Sequence, residues 1–404
     1  MTSRPKVLLA SARTPWPTSS GGQQRTFLLC KAIQRVADLH LLLLNPKPKP
    51  TAAEIEVMRT EFGLGEDAIV TIARSPRWRR LNSPGRHRFG HDAAFARAVT
   101  TAAARLKCDT VVFRYLPLAS RSTGSDRSGF TRLVDVDDVP SLRATTDALQ
   151  QRGLRAIVKR RVAANIVRWQ QRATARIDGG WVACEEDLEI IGDERFAVLP
   201  NIPLQAFDGP VDPTRCVQHA GSRTVLFVGA MGYGINRDAM DRFTREVWPI
   251  VIRERPDARL DIAGGGLDDG RRGTYSGIPG VRPLGFVDDL AATYASSAMS
   301  VVPISAGAGT KIKVLESYHY GRPVVVTRHS LRGYGQVLRD GRDLLVADEP
   351  AQMASAIVRL LDSPETRESM ARSGQALVDR HFSFERFAAI VADLLETYRP
   401  GAGG

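Results

Sequence analysis

Residues 302–326 read Val302-Pro-Ile-Ser-Ala-Gly-Ala-Gly-Thr-Lys-Ile-Lys-Val-Leu-Glu-Ser-Tyr-His-Tyr-Gly-Arg-Pro-Val-Val-Val326. An apolar strand ends at Pro303, a glycine turn follows, a helix is expected to open near Thr310, and Val324 begins a second strand. A strand, a crossover helix and a further strand make a βαβ unit, the building block of parallel sheets. Glycines let backbone approach a ligand closely, and free N–H groups at a helix start attract phosphate. Gly309, Thr310, Lys311 and Lys313 therefore form a candidate cradle for a diphosphate. Glu316, one turn on, offers a carboxylate suited to accept from two ribose hydroxyls. The plain structural alternative is a turn capped by Thr310 with two solvated lysines.

The same alternation runs outward in both directions. Short apolar runs at 6–10, 39–44, 110–113, 132–135, 181–184 and 196–199 read as strands of a first sheet. Helical spacing marks 24–36 and 154–177. After a stretch rich in proline and glycine, Pro200 to Pro213, the pattern repeats. Strands are expected at 225–229, 259–263, 281–285, 300–303 and 324–327, and helices at 237–253, 290–296 and 313–320. The chain divides into residues 1–207, residues 208–383 and a final helix, 384–404, expected to cross back to the first domain. A length of 404 residues suits two cores of roughly 200 residues each.

Composition narrows the classes. With 43% hydrophobic and 25% charged residues, the chain is ordinary globular protein, and disorder is not the default. No apolar run approaches the ~20 residues of a membrane-spanning helix. The first apolar run is too short for a signal peptide, so a cytoplasmic protein is expected. Cys30, Cys108, Cys184 and Cys216 lack CxxC spacing, which argues against a zinc site or a disulfide framework. The formal charge of +12 lies wholly in residues 1–200, with 32 Lys and Arg against 20 Asp and Glu; the rest has 24 of each. Such a basic half suits a phosphorylated substrate, an anionic membrane surface or nucleic acid, or is a solvated surface.

The segment around Glu316 resembles the donor site of glycosyltransferase family 4. Members carry two glutamates eight apart before a small-residue helix and a Gly-x-Pro-Val-Val strand. Glu316 and Gly321-Arg-Pro-Val-Val325 match the second half, while the first glutamate is replaced by Ala308. Gly307-Ala-Gly-Thr-Lys-Ile-Lys313 resembles a branch with Gly-x-Gly-Thr-Lys-x-Lys there. The likeness continues through Leu226-Phe-Val-Gly-Ala-Met231 to Asn236-Arg237, through Ile262-Ala-Gly-Gly-Gly266, and through Leu284-Gly-Phe-Val-Asp288.

The resemblance implies an α/β chain of GT-B type, two Rossmann-like domains with parallel sheets facing a central cleft. It implies a nucleotide-sugar donor held by the second domain and a glycan or polyprenyl-linked acceptor held by the first. Transfer would retain anomeric configuration, with no cofactor and no metal, in cell-envelope or exopolysaccharide synthesis. Gly229, Arg237, Gly264 and Val287 join the candidate donor residues. In the first domain Gly21, Gly22 and Arg25, between strand one and helix one, would face the cleft. The loop lacks GxGxxG and Walker spacing, which weakens dinucleotide and NTPase readings.

Three further features bear on function. Asp135-Val-Asp-Asp138 mimics a DxD metal motif, but its distance from the donor segment favours a strand end lining the cleft. His319, on the helix of Glu316, reads as a packed or surface residue. The helix 154–177 mixes seven basic residues with Ile157, Val158, Val162, Ile166, Val167 and Trp169, either as core or as a face for an anionic leaflet, together with the basic loop 74–92 holding Trp78. The alternatives are a GT-B-fold epimerase and, from another class, a basic nucleic-acid-binding protein. No nucleic acid is expected as partner, because half the chain is neutral and no binding motif occurs.

Overall fold

The computed structural model describes residues 4–46, 49–65, 68–72, 92–122, 129–149, 151–210, 212–216 and 221–399. The basic loop 74–92 lies outside them apart from Asp92. Two compact units result, one of residues 1–200 with 384–404, the other of residues 201–383.

Among the described residues the first unit is built on seven strands: β1 (Lys6–Ser11), β2 (Asp38–Leu44), β3 (Ile69–Ile72), β4 (Thr110–Arg114), β5 (Thr131–Val136), β6 (Gly179–Val182) and β7 (Phe196–Val198). All pair in parallel in the order β3-β2-β1-β4-β5-β6-β7. The sequence explains this: β1 and β2 are apolar on both faces, as strands covered by helices on both sides must be. The order reverses between β1 and β4, which makes their C-terminal ends the switch point where such sheets bind ligands. The helix Phe384–Thr397 belongs to this unit and packs on the helix Gly21–Val36. Arg35 pairs with Glu385, and Thr131 Oγ1 donates to the Tyr398 carbonyl at 2.9 Å.

The second unit has six parallel strands: β8 (Thr224–Val228), β9 (Arg259–Ala263), β10 (Val281–Gly285), β11 (Met299–Val302), β12 (Val324–Val326) and β13 (Leu345–Val346). Their order is β10-β9-β8-β11-β12-β13, with the reversal between β8 and β11. The core on this sheet gathers Phe227, Trp248, Leu260, Met299, Ile357 and Leu361, all buried. The helical stretch 234–254 is not uniform: a π turn, Phe243–Val247, separates Gly234–Arg242 from Trp248–Glu254. Pro249 lacks the N–H that a regular helix needs there, and the wider turn absorbs the loss.

The stretch 200–213 is not a free linker. The chain divides at Pro200, earlier than residue 207, because Asn201 and the 3-10 turn Leu204–Asp208 hydrogen-bond within the second unit. Two strands escaped the reading of the sequence, β3 and the two-residue β13, and β6 lies two residues earlier than expected.

Candidate functional site

The loops after β8 and β11 flank the switch point of the second sheet, and the residues read from 302–326 collect there. The helix opens at Lys313, where helical spacing placed it and three residues after the opening expected near Thr310. Thr310 does not cap it; its hydroxyl accepts from Asn201 Nδ2 at 3.0 Å. The preceding turn is fixed by side chains from the next segment: His329 Nε2 lies 2.8 Å from the Gly307 carbonyl, and Arg332 Nη1 donates to the Ala308 carbonyl at 2.7 Å. At the position of the missing first glutamate, the backbone of Ala308 is thus tied to Arg332.

Lys313 is the centre of the group. Its ammonium donates to Asn236 Oδ1 at 3.0 Å and lies 4.5 Å from the centre of the Phe227 ring. Gly229 explains how it fits: a Cβ there would come 2.7 Å from Lys313 Nζ and 2.9 Å from Asn236 Nδ2. Burial pushes the Lys313 amine down to about 7; Glu316 pulls it up and Lys311 pushes it down further. Lys311 points back onto the carbonyl of Gly309.

Glu316 stands one turn on from Lys313. Burial raises its carboxyl above the usual glutamate range, against the opposing pull of Lys313 and hydrogen bonds from Tyr294 and Gln205. Tyr294 Oη donates to Glu316 Oε2 at 3.4 Å, and Tyr294 stacks on Tyr320 with ring centres 4.7 Å apart. Val287 packs on the same cluster. Arg322, from the Gly-Arg-Pro-Val-Val segment, is buried and supports this floor. It donates to the carbonyls of Tyr294, Ala295, Gly321 and Arg215 at 2.8–3.1 Å. His319 is buried, edge-on to Tyr320, and burial with Arg215 nearby lowers its imidazole to about 4.

Two predicted donor residues take different places. Gly264 is needed by the backbone itself: its φ is +138°, and a Cβ would sit 2.0 Å from the Gly229 carbonyl oxygen. Arg237 donates to the Gly232 carbonyl at 3.4 Å, and its charge acts on Asp268 and Tyr275. The neighbour missed by sequence reading is Asn236, buried between Lys313 and the Ala230 carbonyl; its place in the segment resembling a phosphate loop was the available signal.

In the first unit Gly21 and Gly22 open a helix at the C-terminal end of β1. Gly22 lies close under Tyr115: a Cβ would come 2.9 Å from Tyr115 Oη, and the hydroxyl would have to shift to admit it. Tyr115 follows β4 with φ +82°, a region that non-glycine residues avoid. Arg25 does not serve this loop. It is buried and paired with Asp135 at 2.7 Å, whose other oxygen takes Arg114 at 2.9 Å. Arg114 also reaches Asp137 at 2.9 Å. Asp135 and Asp137 of the Asp-Val-Asp-Asp stretch are therefore bound to guanidinium groups. Among the described residues no three His, Cys, Asp or Glu gather as a metal cluster.

Residues 222–363 match the family described as glycosyl transferases group 1. An uncharacterised 44.6 kDa protein in the cps region of Klebsiella pneumoniae is 24% identical over 170 residues, 40% of this chain and 43% of that protein. The aligned stretch thus spans less than half of that relative. Sucrose-phosphate synthase from Thermosynechococcus elongatus superposes with a TM-score of 0.68 at 16% identity, over 98% of this chain and 99% of that one. HepE of Anabaena, crystallised with UDP, gives 0.67 at 14% identity, over 97% and 100%. At these identities the likeness establishes architecture. Residues 222–363 thus match the group 1 glycosyltransferase model, and the whole chain has the GT-B fold.

Proposed function

We propose that the protein transfers a sugar from a nucleoside-diphosphate sugar to a glycan or polyprenyl-linked acceptor, as a family 4 enzyme retaining anomeric configuration and working without a metal. The observation that carries the reading is the burial of Lys313 and Glu316 within electrostatic reach of each other, one turn apart beside the switch point of β8 and β11 and inside the stretch that matches the group 1 model. Lys313 and Lys311 supply positive charge to a diphosphate, and Glu316 accepts from the ribose hydroxyls. Val287 and the Tyr294–Tyr320 stack border the nucleoside. As the bond to the sugar breaks, negative charge grows on the diphosphate, and preplaced ammonium groups and amides stabilise it without reorganising. A phosphate oxygen of the donor takes the acceptor proton. Gly21 and Gly22, at the switch point of the first sheet, serve the acceptor, and the setting is cell-envelope or exopolysaccharide synthesis on the cytoplasmic side.

Calorimetry with UDP, uridine and pyrophosphate tests the assignment. Glu316→Gln is expected to weaken UDP and uridine about 10–100-fold, the worth of charge-assisted hydrogen bonds, and to leave pyrophosphate unchanged. A Gln variant that binds all three like the parent rejects Glu316 as the ribose acceptor. Transfer from a UDP- or GDP-sugar that persists in EDTA supports the metal-free reaction.

A further inference from the structure

The helix Gly153–Thr174 is built inside out over its first three turns. Ala156 and Ala163 form the buried side, and the helix lies against Pro140–Leu149 on that side. The larger apolar residues face water instead: Leu154, Ile157, Val158 and Val162 are 41–82% exposed, and Leu149 at the end of the preceding helix is exposed beside them. At 100° per residue Leu154, Ile157, Val158 and Val162 share one stripe opposite the alanines. Only from Ile166 onward does the helix turn inward, where Trp169 donates to Ser120 Oγ at 3.0 Å.

Charge surrounds this stripe. Between Asp147 and Asp178 there is no acidic residue, whereas Arg152, Arg155, Lys159, Arg160, Arg161, Arg168, Arg172 and Arg176 lie within it. Among the described residues none of these eight is in an ion pair. Folding thus leaves a contiguous apolar stripe in water and makes no use of the cations beside it.

We infer that this face docks on an anionic lipid bilayer, with Leu154, Ile157, Val158 and Val162 entering the acyl boundary and the flanking cations on the headgroups. An apolar stripe flanked by uncompensated positive charge is what an interfacial helix needs. Arg161, within the stripe, keeps its head among the phosphates by extending its stem along the apolar layer. A second copy of the chain is disfavoured as occupant, since two such faces would set eight cations against eight. Nucleic acid would satisfy the cations but leave the apolar stripe unburied. The inference does not depend on the transferase reading.

Co-sedimentation of the full chain with phosphatidylglycerol-containing vesicles, against pure phosphatidylcholine, tests it. The expected result is binding to the anionic vesicles at low salt and release at high salt. Ile157→Ser with Val158→Ser keeps every charge and is expected to weaken binding about tenfold or more. Lys159→Glu with Arg160→Glu keeps the apolar stripe and is expected to cost about fivefold or more for each charge changed. All four side chains are solvent-exposed, so both variants should melt and bind UDP like the parent. Failure to bind anionic vesicles overturns the inference, as does vesicle binding that ignores both variants. So does salt-sensitive binding to an oligonucleotide in place of vesicles, or a dimer in solution that Ile157→Ser with Val158→Ser dissolves.

Discussion

Lys313 carries a cost that a structural residue would not. Burial lowers its amine to about 7, so in the ligand-free protein the charge is not fully held at neutral pH. The diphosphate proposed to bind there would restore it, which would link binding to protonation. Below pH 7 the ammonium is already present and binding takes up no proton. Above it, affinity should fall by up to about tenfold per pH unit until the raised pKa of the complex is reached. Calorimetry of UDP binding at pH 8, in buffers of different ionisation enthalpy, should register uptake of about one proton. Zero uptake, or release, would place the phosphates elsewhere. Arg25 shows the opposite lesson at the same scale. A loop arginine at a helix start has no local mark distinguishing a ligand contact from a structural one, and its partner Asp135 lies 110 residues away. The sequence therefore showed its chemistry but not its commitment.

Among the elements, β9 and β10 were legible to the residue, because each ends in apolar residues at a glycine turn, Ile262-Ala263 before Gly264 and Leu284 before Gly285. The two-residue β13 was not, since so short a strand exists only through its neighbour β12. β3 was hidden by the aperiodic basic segment after it. The helix Gly153–Thr174 was read in extent but not in orientation: spacing gives a stripe, and only packing decides whether alanines or branched residues face inward. Gly264 offers a test of how the elements position the site. Gly264→Ala drives a methyl into the Gly229 carbonyl and imposes a positive φ on alanine, which should destabilise by about 3 kcal/mol or more in urea unfolding. Nucleotide affinity should fall with it, because Gly229 borders Lys313. Gly265→Ala meets only Phe286 at 3.8 Å, an ordinary contact, and should be nearly silent. Equal losses in the two variants would contradict the packing account.

On the scale of the whole molecule the two units differ in how the chain makes them. The second is one continuous stretch, residues 201–383, whereas the first is closed by a helix that follows the second unit in sequence. That helix supplies Phe384 and Phe387, both buried, with Arg35 4.7 Å from the Phe384 ring centre and Arg25 5.9 Å from that of Phe387. Residues 201–383 expressed alone should melt cooperatively, while residues 1–200 alone should lose cooperativity or precipitate. Adding a peptide of residues 384–399 should restore the transition of the first unit. A fragment 1–200 that melts sharply by itself would show the helix to be dispensable.

The returning helix also sets an order of events during synthesis. Every described strand of the first unit leaves the ribosome before any residue of the second, yet the helix Phe384–Thr397 emerges only after the second unit is complete. At ~5–20 residues per second the nascent amino-terminal half waits on the order of ten seconds or more with an apolar groove open along Gly21–Val36. The part of the polypeptide translated first is thereby the part that finishes maturing last, and the neighbour born after it has time to fold in between.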